Sequence, residues 1–181
     1  ENKQVIVKDP HKRLENVLEV EFETSFRLLL ALAAHTKREL FHIDVTNAFT
    51  EAEIDTDIWV EPPIGYGQLD KDGQPMVLKL KRALYGTKQA SRLWQQTLHG
   101  FLATDKCWGE SGFRASTSDP CLFRWDCKDA KGNPHWIILG CYVDDIIVLP
   151  SSPEVYERFT AAFGKRFTCR KPESLSWFLG M

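Results

Sequence analysis

The stretch Trp136-Ile137-Ile138-Leu139-Gly140-Cys141-Tyr142-Val143-Asp144-Asp145-Ile146-Ile147-Val148-Leu149 decides how this sequence is read. Two apolar runs, rich in Ile and Val, are separated by Asp144 and Asp145. Runs of this kind read as buried strands. The acidic pair is therefore expected to occupy a tight hairpin between them. Working outward, Leu40-Phe41-His42-Ile43-Asp44-Val45 is another short β-rich run, and it also delivers an acid at its end.

The remaining elements follow from spacing. Phe22, Phe26, Leu29, Leu30 and Ala33 recur with helical period between residues 21 and 37. Trp94, Leu98, Phe101 and Leu102 do the same between residues 87 and 104. Ser152-Pro153-Glu154 reads as a helix start, with a capping serine and proline in the first turn, ahead of a core face of Val155, Phe159, Ala162 and Phe163. Shorter strands are predicted at residues 58–61, stopped by Pro62-Pro63, and at 76–80 and 121–125. Residues 65–75 and 109–118 read as loops, and residues 129–134 carry turn chemistry. This order predicts an α+β domain over residues 21–181, an antiparallel sheet with helices packed on one face. Residues 1–20 form a lead of uncertain structure.

Composition narrows the function classes. The chain has 181 residues, 23 Lys+Arg against 25 Asp+Glu, a net charge of -2 and 43% hydrophobic residues. That length can bury a core without disulfide staples. There is no basic excess, so any nucleic-acid surface must be concentrated in one place. The five cysteines form no C-x-x-C pair, which excludes a zinc ribbon or redox dithiol and favours a reducing compartment. The five histidines form no H-x-x-x-H pair and read as ordinary buried or surface residues. No apolar stretch follows the first charges, so no signal peptide is read there. The longest apolar runs are too short to span a bilayer, and no membrane insertion is expected.

Asp44, Asp144 and Asp145 carry the chemistry. Carboxylates at the tips of apolar strands are costly to desolvate. Converging carboxylates repel one another, and a hard divalent cation such as Mg²⁺ or Mn²⁺ relieves that repulsion. Two ions about 4 Å apart clamp the attacking and leaving oxygens of a phosphoryl transfer. A bare Asp-Asp is common, and that pair alone reads rather as a solvated turn beside an unrelated strand-end Asp. The tetrapeptide Tyr142-Val143-Asp144-Asp145 is more specific, arising by chance in a chain this long about once in a thousand cases.

Y-V-D-D between two apolar strands resembles the C motif of reverse transcriptases. His42-Ile43-Asp44-Val45-Thr46-Asn47-Ala48-Phe49 resembles their A motif in the form used by copia-type retrotransposons. Ile58-Trp59-Val60-Glu61-Pro62-Pro63-Ile64-Gly65-Tyr66 follows at the family's spacing. The run from Leu78-Lys79-Leu80 through Ala83-Leu84-Tyr85-Gly86-Thr87-Lys88 to Leu93-Trp94 is similar to its B motif. Asp119-Pro120-Cys121-Leu122-Phe123 and Trp177-Phe178-Leu179-Gly180-Met181 match further segments, so the resemblance extends in order from about Phe26 to Met181. Ser91 stands where the family usually has proline, and Thr50 where it has an aliphatic residue.

The resemblance implies a polymerase palm performing RNA-directed DNA synthesis, with two Mg²⁺ or Mn²⁺ ions. It implies that Asp44, Asp144 and Asp145 are catalytic and bind metal, with the Val45 carbonyl as a further ligand. Phe49 would sit under the nucleotide sugar and select deoxynucleotides. Tyr85, Gly86 and Lys88 would line the nucleotide side, and Tyr142 the primer end. Taken without the motifs, Phe49, Tyr85 and Tyr142 read equally as packing aromatics, and Lys88 as a solvated charge. The implied partners are an RNA template, a DNA primer and deoxynucleotides. The implied location is intracellular, in a cytoplasmic virus-like particle for an active element.

Charge is distributed unevenly. No acid lies between Asp72 and Asp105, a stretch that holds Lys79, Lys81, Arg82, Lys88 and Arg92. This is the candidate primer–template surface, with a solvated helix face as the alternative. The family's fingers, thumb and RNase H are expected to be absent from this stretch of sequence. Two readings therefore stand: a palm carrying out nucleotidyl transfer, or a non-catalytic palm serving as a structural subunit whose protein partner covers the fingers and thumb face.

Overall fold

A computed structural model describes residues 15–109 and 111–175, with side chains from residue 23 onward. The lead before residue 15 and the segment Trp177-Phe178-Leu179-Gly180-Met181 lie outside the described residues. The elements are α1 (Glu15–Thr36), β1 (Phe41–Asp44), β2 (Trp59–Val60), β3 (Leu78–Lys79), α2 (Ala90–Thr104), β4 (Arg114–Ala115), β5 (Leu122–Lys128), β6 (Pro134–Tyr142), β7 (Asp145–Pro150), α3 (Pro153–Arg166) and β8 (Glu173–Ser174). Short 3₁₀ turns occupy Ala48–Glu51 and Lys106–Trp108.

Six strands form one antiparallel sheet in the order β4-β5-β6-β7-β1-β8. Strands β6 and β7 occupy the middle, as their apolar runs require. Side chains alternate across a strand, and both faces of β7 are buried: Ile146 and Val148 point one way, Ile147 and Leu149 the other. Each face must then be covered, and the helices divide between them. Phe26, Leu29 and Ala33 of α1 pack on the Ile147 and Leu149 face. Trp94, Leu98, Phe101 and Leu102 of α2 and Val155, Phe159 and Phe163 of α3 pack on the Ile146 and Val148 face. The α+β class and antiparallel sheet are as expected, but helices on a single face are not: a strand apolar on both sides cannot leave one side to water.

The thicker layer is aromatic. Trp108 lies edge-on to Trp125 at 5.4 Å and stacks near Phe159 at 5.7 Å, with Phe101, Phe113, Phe163 and Phe167 completing the cluster. Such ring pairs contribute about 0.5–1.5 kcal/mol each beyond the area they bury. Ser152 accepts a hydrogen bond from the Val155 N–H and caps α3 as its sequence predicts. Leu30 is 40% exposed, outside the buried stripe of α1. Helix α1 is already formed at Glu15, the first described residue, ahead of the expected start at residue 21.

Strands β2 and β3 form a separate two-stranded sheet. It continues the antiparallel run of residues 52–60 along residues 78–83, held by Ala83 N–H to Ala52 O, Ile54 N–H to Lys81 O and Leu80 N–H to Ile58 O. Among the described residues, no helix is long and apolar enough to cross a membrane.

Candidate active site

Strand β1 runs antiparallel to β7, and its register sets Asp44 directly opposite Asp145. Opposed residues on such a pair have Cβ atoms about 4.5–5.5 Å apart, and opposed like charges are destabilising. The third carboxylate comes from the hairpin. Tyr142 pairs with Asp145, so the two turn residues are Val143 and Asp144. This corrects the expectation that Asp144 and Asp145 form the turn together: Asp145 is the first residue of β7. Val143 has φ 51°. A β-branched residue there is a genuine outlier, and positive φ at the first central position of a hairpin turn alone is the type II′ pattern. Two bonds hold it: the buried Trp94 indole N–H donates to the Val143 carbonyl at 2.6 Å, and the Val45 N–H donates to the Asp144 carbonyl at 2.8 Å. A strained turn persists only where its surroundings over-determine it.

Each carboxylate has a protein partner. His42 Nε2 lies 2.7 Å from Asp145 Oδ1. Arg170 Nε lies 3.5 Å from Asp44 Oδ1, and its backbone N–H donates to the Asp44 carbonyl at 2.9 Å. Tyr85 Oη donates to Asp144 Oδ2 at 3.3 Å. Partial burial, the Asp144 charge and this hydrogen bond, and then the Asp44 charge raise the Tyr85 phenol above its ordinary pKa. The Tyr85 ring packs against Phe49 with centroids 4.4 Å apart. Gly86 follows at φ 91°, a conformation that needs glycine. Lys88 is exposed two residues ahead of α2, and Tyr142 is half-buried beside Asp145. The structure therefore brings together Asp44, Val45, Asp144, Asp145, Tyr142, Tyr85 and Phe49.

The donor set suits a hard cation: three carboxylates, two of them opposed across one strand pair. Among the described residues, no three Asp, Glu, His or Cys side chains are gathered closely enough to enclose a metal ion as they stand. The carboxylates point instead to His42, Arg170 and Tyr85. The residues fit a divalent ion in kind and backbone placement, with Arg170 the group that must leave. Its side chain is 78% exposed, so leaving is sterically free.

The basic stretch is not free. Glu51, at the end of the first 3₁₀ turn, and Glu53, Asp55 and Asp57 after it alternate along the chain and pair in turn with Arg166 at 3.2 Å, Arg82 at 3.9 Å, Arg92 and Lys79 at 2.6 Å. The Arg82 guanidinium also donates to the Glu51 carbonyl at 2.8 Å. Of the expected primer–template residues, Lys79, Arg82 and Arg92 are thus neutralised in place. Lys81 has no ion pair among the described residues, and neither does Lys88.

Residues 4–181 match the family described as reverse transcriptase (RNA-dependent DNA polymerase). This chain belongs to that family. Among curated proteins it is 33% identical over 158 residues to the retrovirus-related Pol polyprotein from transposon RE1 of Arabidopsis thaliana, covering 87% of this chain and 10% of the relative. It is 30% identical, over the same share of the chain and 11% of the relative, to the corresponding polyprotein from transposon TNT 1-94 of Nicotiana tabacum. It is 27% identical over 139 residues to a putative transposon Ty5-1 protein of Saccharomyces cerevisiae, covering 77% of this chain and 41% of that protein. The chain spans about a tenth of the length of the two plant polyproteins. Together these matches make it a stretch of a copia-type retrotransposon reverse transcriptase.

Three residues of this candidate site receive no role from the sequence, although His42 and Trp94 lie within the stretches that resemble the A and B motifs. His42 shares its strand face with Asp44, a period-two signal available in the sequence. Arg170 reaches Asp44 only because residues 168–170 run beside β1 and its continuation, and nothing local announces that. Trp94 reads as core, which it is, while its indole N–H serves the turn.

Proposed function

We propose that this chain is the palm of an RNA-directed DNA polymerase, transferring deoxynucleotides to a primer 3′-OH on an RNA template. One observation supports it above the rest: Asp44 and Asp145 stand opposed across β1 and β7, with Asp144 in the adjoining turn. Asp44, Asp144 and Asp145, with the Val45 carbonyl, would hold two divalent ions. Those ions, when bound, lower the pKa of the primer hydroxyl and neutralise charge on the leaving pyrophosphate.

The other residues position. Phe49, backed by Tyr85, presents a flat apolar wall that a 2′-OH would meet unfavourably, which selects deoxynucleotides. Tyr142 abuts the carboxylates from the primer side. Gly86 lets the backbone before α2 turn close to the nucleotide, and Lys88 and Lys81 supply unpaired positive charge for phosphates. In an active element this chemistry would proceed inside a cytoplasmic particle.

A second reading, a palm acting as a non-catalytic subunit, draws on the exposed apolar residues Trp59, Ile64, Tyr66, Leu69, Leu78 and Leu84 around β2 and β3. Exposure on this scale suits a protein partner.

Thermal unfolding in Mg²⁺ or Mn²⁺ separates the readings at the level of the site. Metal at a hundred times its Kd stabilises the native state by about 2.7 kcal/mol. That raises Tm by ~5–10 °C in a domain of this size. Asp144→Asn abolishes the rise. Primer extension on an RNA template then reads activity, and a wild-type chain with neither a metal-dependent Tm nor extension refutes the catalytic reading.

A further inference from the structure

His42 opens the stretch that resembles the A motif but is given no role by it, and among the described residues it makes the closest side-chain contact to the three carboxylates. We propose that His42 is a positioning residue that fixes the Asp145 carboxylate for a divalent ion, an inference that rests on the metal-binding reading above. Three observations carry it. His42 Nε2 sits 2.7 Å from Asp145 Oδ1, with both side chains about three-quarters buried, at 27% and 28% exposure. His42 precedes Asp44 by two residues on β1 and so shares its face, while its cross-strand neighbour Ile147 belongs to the buried layer against α1. On the other side β8 closes against β1, pairing His42 with Glu173. Residue 42 is thus held by a paired strand on both flanks.

An ionised carboxylate only accepts hydrogen bonds, so Nε2 carries the proton in this contact. The bond occupies Oδ1 and leaves the lone pairs of Oδ2 for a cation. Arg170 offers the contrast: longer, at 3.5 Å, and 78% exposed, it can vacate Asp44 when an ion arrives. His42 has no comparable exit. Groups that hold a metal-ligating carboxylate in this way typically govern affinity by ~10–100-fold.

The test is Mn²⁺ binding to the full 181-residue chain, followed by electron paramagnetic resonance or calorimetry. Four chains are compared: wild type, His42→Ala, His42→Gln and His42→Asn. The Gln amide nitrogen reaches the place of Nε2, whereas the Asn nitrogen reaches only that of Nδ1. Positioning through Nε2 predicts ~10–100-fold weaker Mn²⁺ binding for Ala and Asn, with Gln restored to within a few-fold of wild type. The metal-free Tm of Gln and Asn is expected to match, so that the split reads geometry rather than folding. Equal Mn²⁺ affinity in Gln and Asn, or in Ala and wild type, overturns the role of His42 while leaving the carboxylate site standing. Wild-type chain whose Mn²⁺ binding is insensitive to Asp144→Asn overturns the site, and this inference with it.

Discussion

Trp94→Phe tests the mechanism that holds the carboxylate turn. Trp94 is 2% exposed, donates to the Val143 carbonyl at 2.6 Å and meets Phe167 edge-on at 5.2 Å. Phenylalanine keeps an aromatic ring against Phe167 but deletes the donor. A carbonyl left without its partner costs about 1–3 kcal/mol. The smaller ring leaves ~40 Å³ unfilled, and at about 24 cal/mol per Å³ this adds ~1 kcal/mol. The expected destabilisation is therefore ~2–4 kcal/mol, or a Tm lower by ~5–15 °C. Urea unfolding is the assay, with an unchanged m-value showing that the midpoint reports stability alone. Trp125→Phe is the reference. Trp125 is 1% exposed and carries the Arg158 guanidinium over its ring at 4.6 Å, a contact that phenylalanine can keep. It is expected to lose mainly the ~1 kcal/mol volume contribution. The reasoning is refuted if Trp94→Phe proves no more costly than Trp125→Phe.

Two further outcomes follow from charges already placed. Cys107 is exposed, yet partial desolvation of its sulfur, then the hydrogen bond and charge of Asp105, push its thiol up to about 12. A raised pKa means less thiolate, ~10⁻⁴ of the total at pH 8, so iodoacetamide should label Cys107 slowly, and faster with each step up in pH. Asp105→Asn lowers the pKa and should accelerate labelling; mass-spectrometric mapping at the rate of a free cysteine in the wild type would refute this. Asp55→Asn with Asp57→Asn frees Arg92 and Lys79. Stability should change by only ~0–1 kcal/mol per exposed pair. Binding to a primer–template should tighten, with log K falling more steeply against log salt by about 1 to 2 in slope; an unchanged slope would show that neither cation meets phosphate.

Where a residue's role depends on its neighbours along the chain, the sequence was readable. Strands β6 and β7 declare themselves because both faces of each are apolar, and α3 because Ser152 and Pro153 mark its first turn. The turn was misread by one residue for a physical reason. Asp-Asp is good turn chemistry, whereas valine at positive φ is poor, and only the bonds from Trp94 and Val45 override that preference. Two-residue strands such as β4 and β8 bury too little to leave a pattern. The residues of the site were legible through their motifs; their partners were not. His42 looks like any histidine until β7 is laid beside β1. The basic run at residues 79–92 looks free until residues 51–57 are laid beside it, since an alternation of acids acquires meaning only when the fold supplies cations to meet it: Lys79 and Arg82 from the paired run, Arg92 from α2 and Arg166 from α3.

That alternation has a kinetic consequence. Charges paired at contact distance leave short dipoles, whose field falls off faster than that of free ions. Beyond a Debye length of about 8 Å at physiological salt, little of the paired charge of Lys79, Arg82 and Arg92 reaches an approaching polyanion, which leaves Lys81 and Lys88 to act at range. Long-range steering, which raises association rates about tenfold to a thousandfold for surfaces of one sign, is reduced here to what Lys81 and Lys88 supply. If this face meets a phosphate backbone as proposed, recognition at Arg82 and Arg92 would be a contact-range exchange, in which phosphate replaces carboxylate on the same guanidinium. The encounter would then depend less steeply on ionic strength than that of a fully free basic surface, and salt would act more on how long the complex lasts.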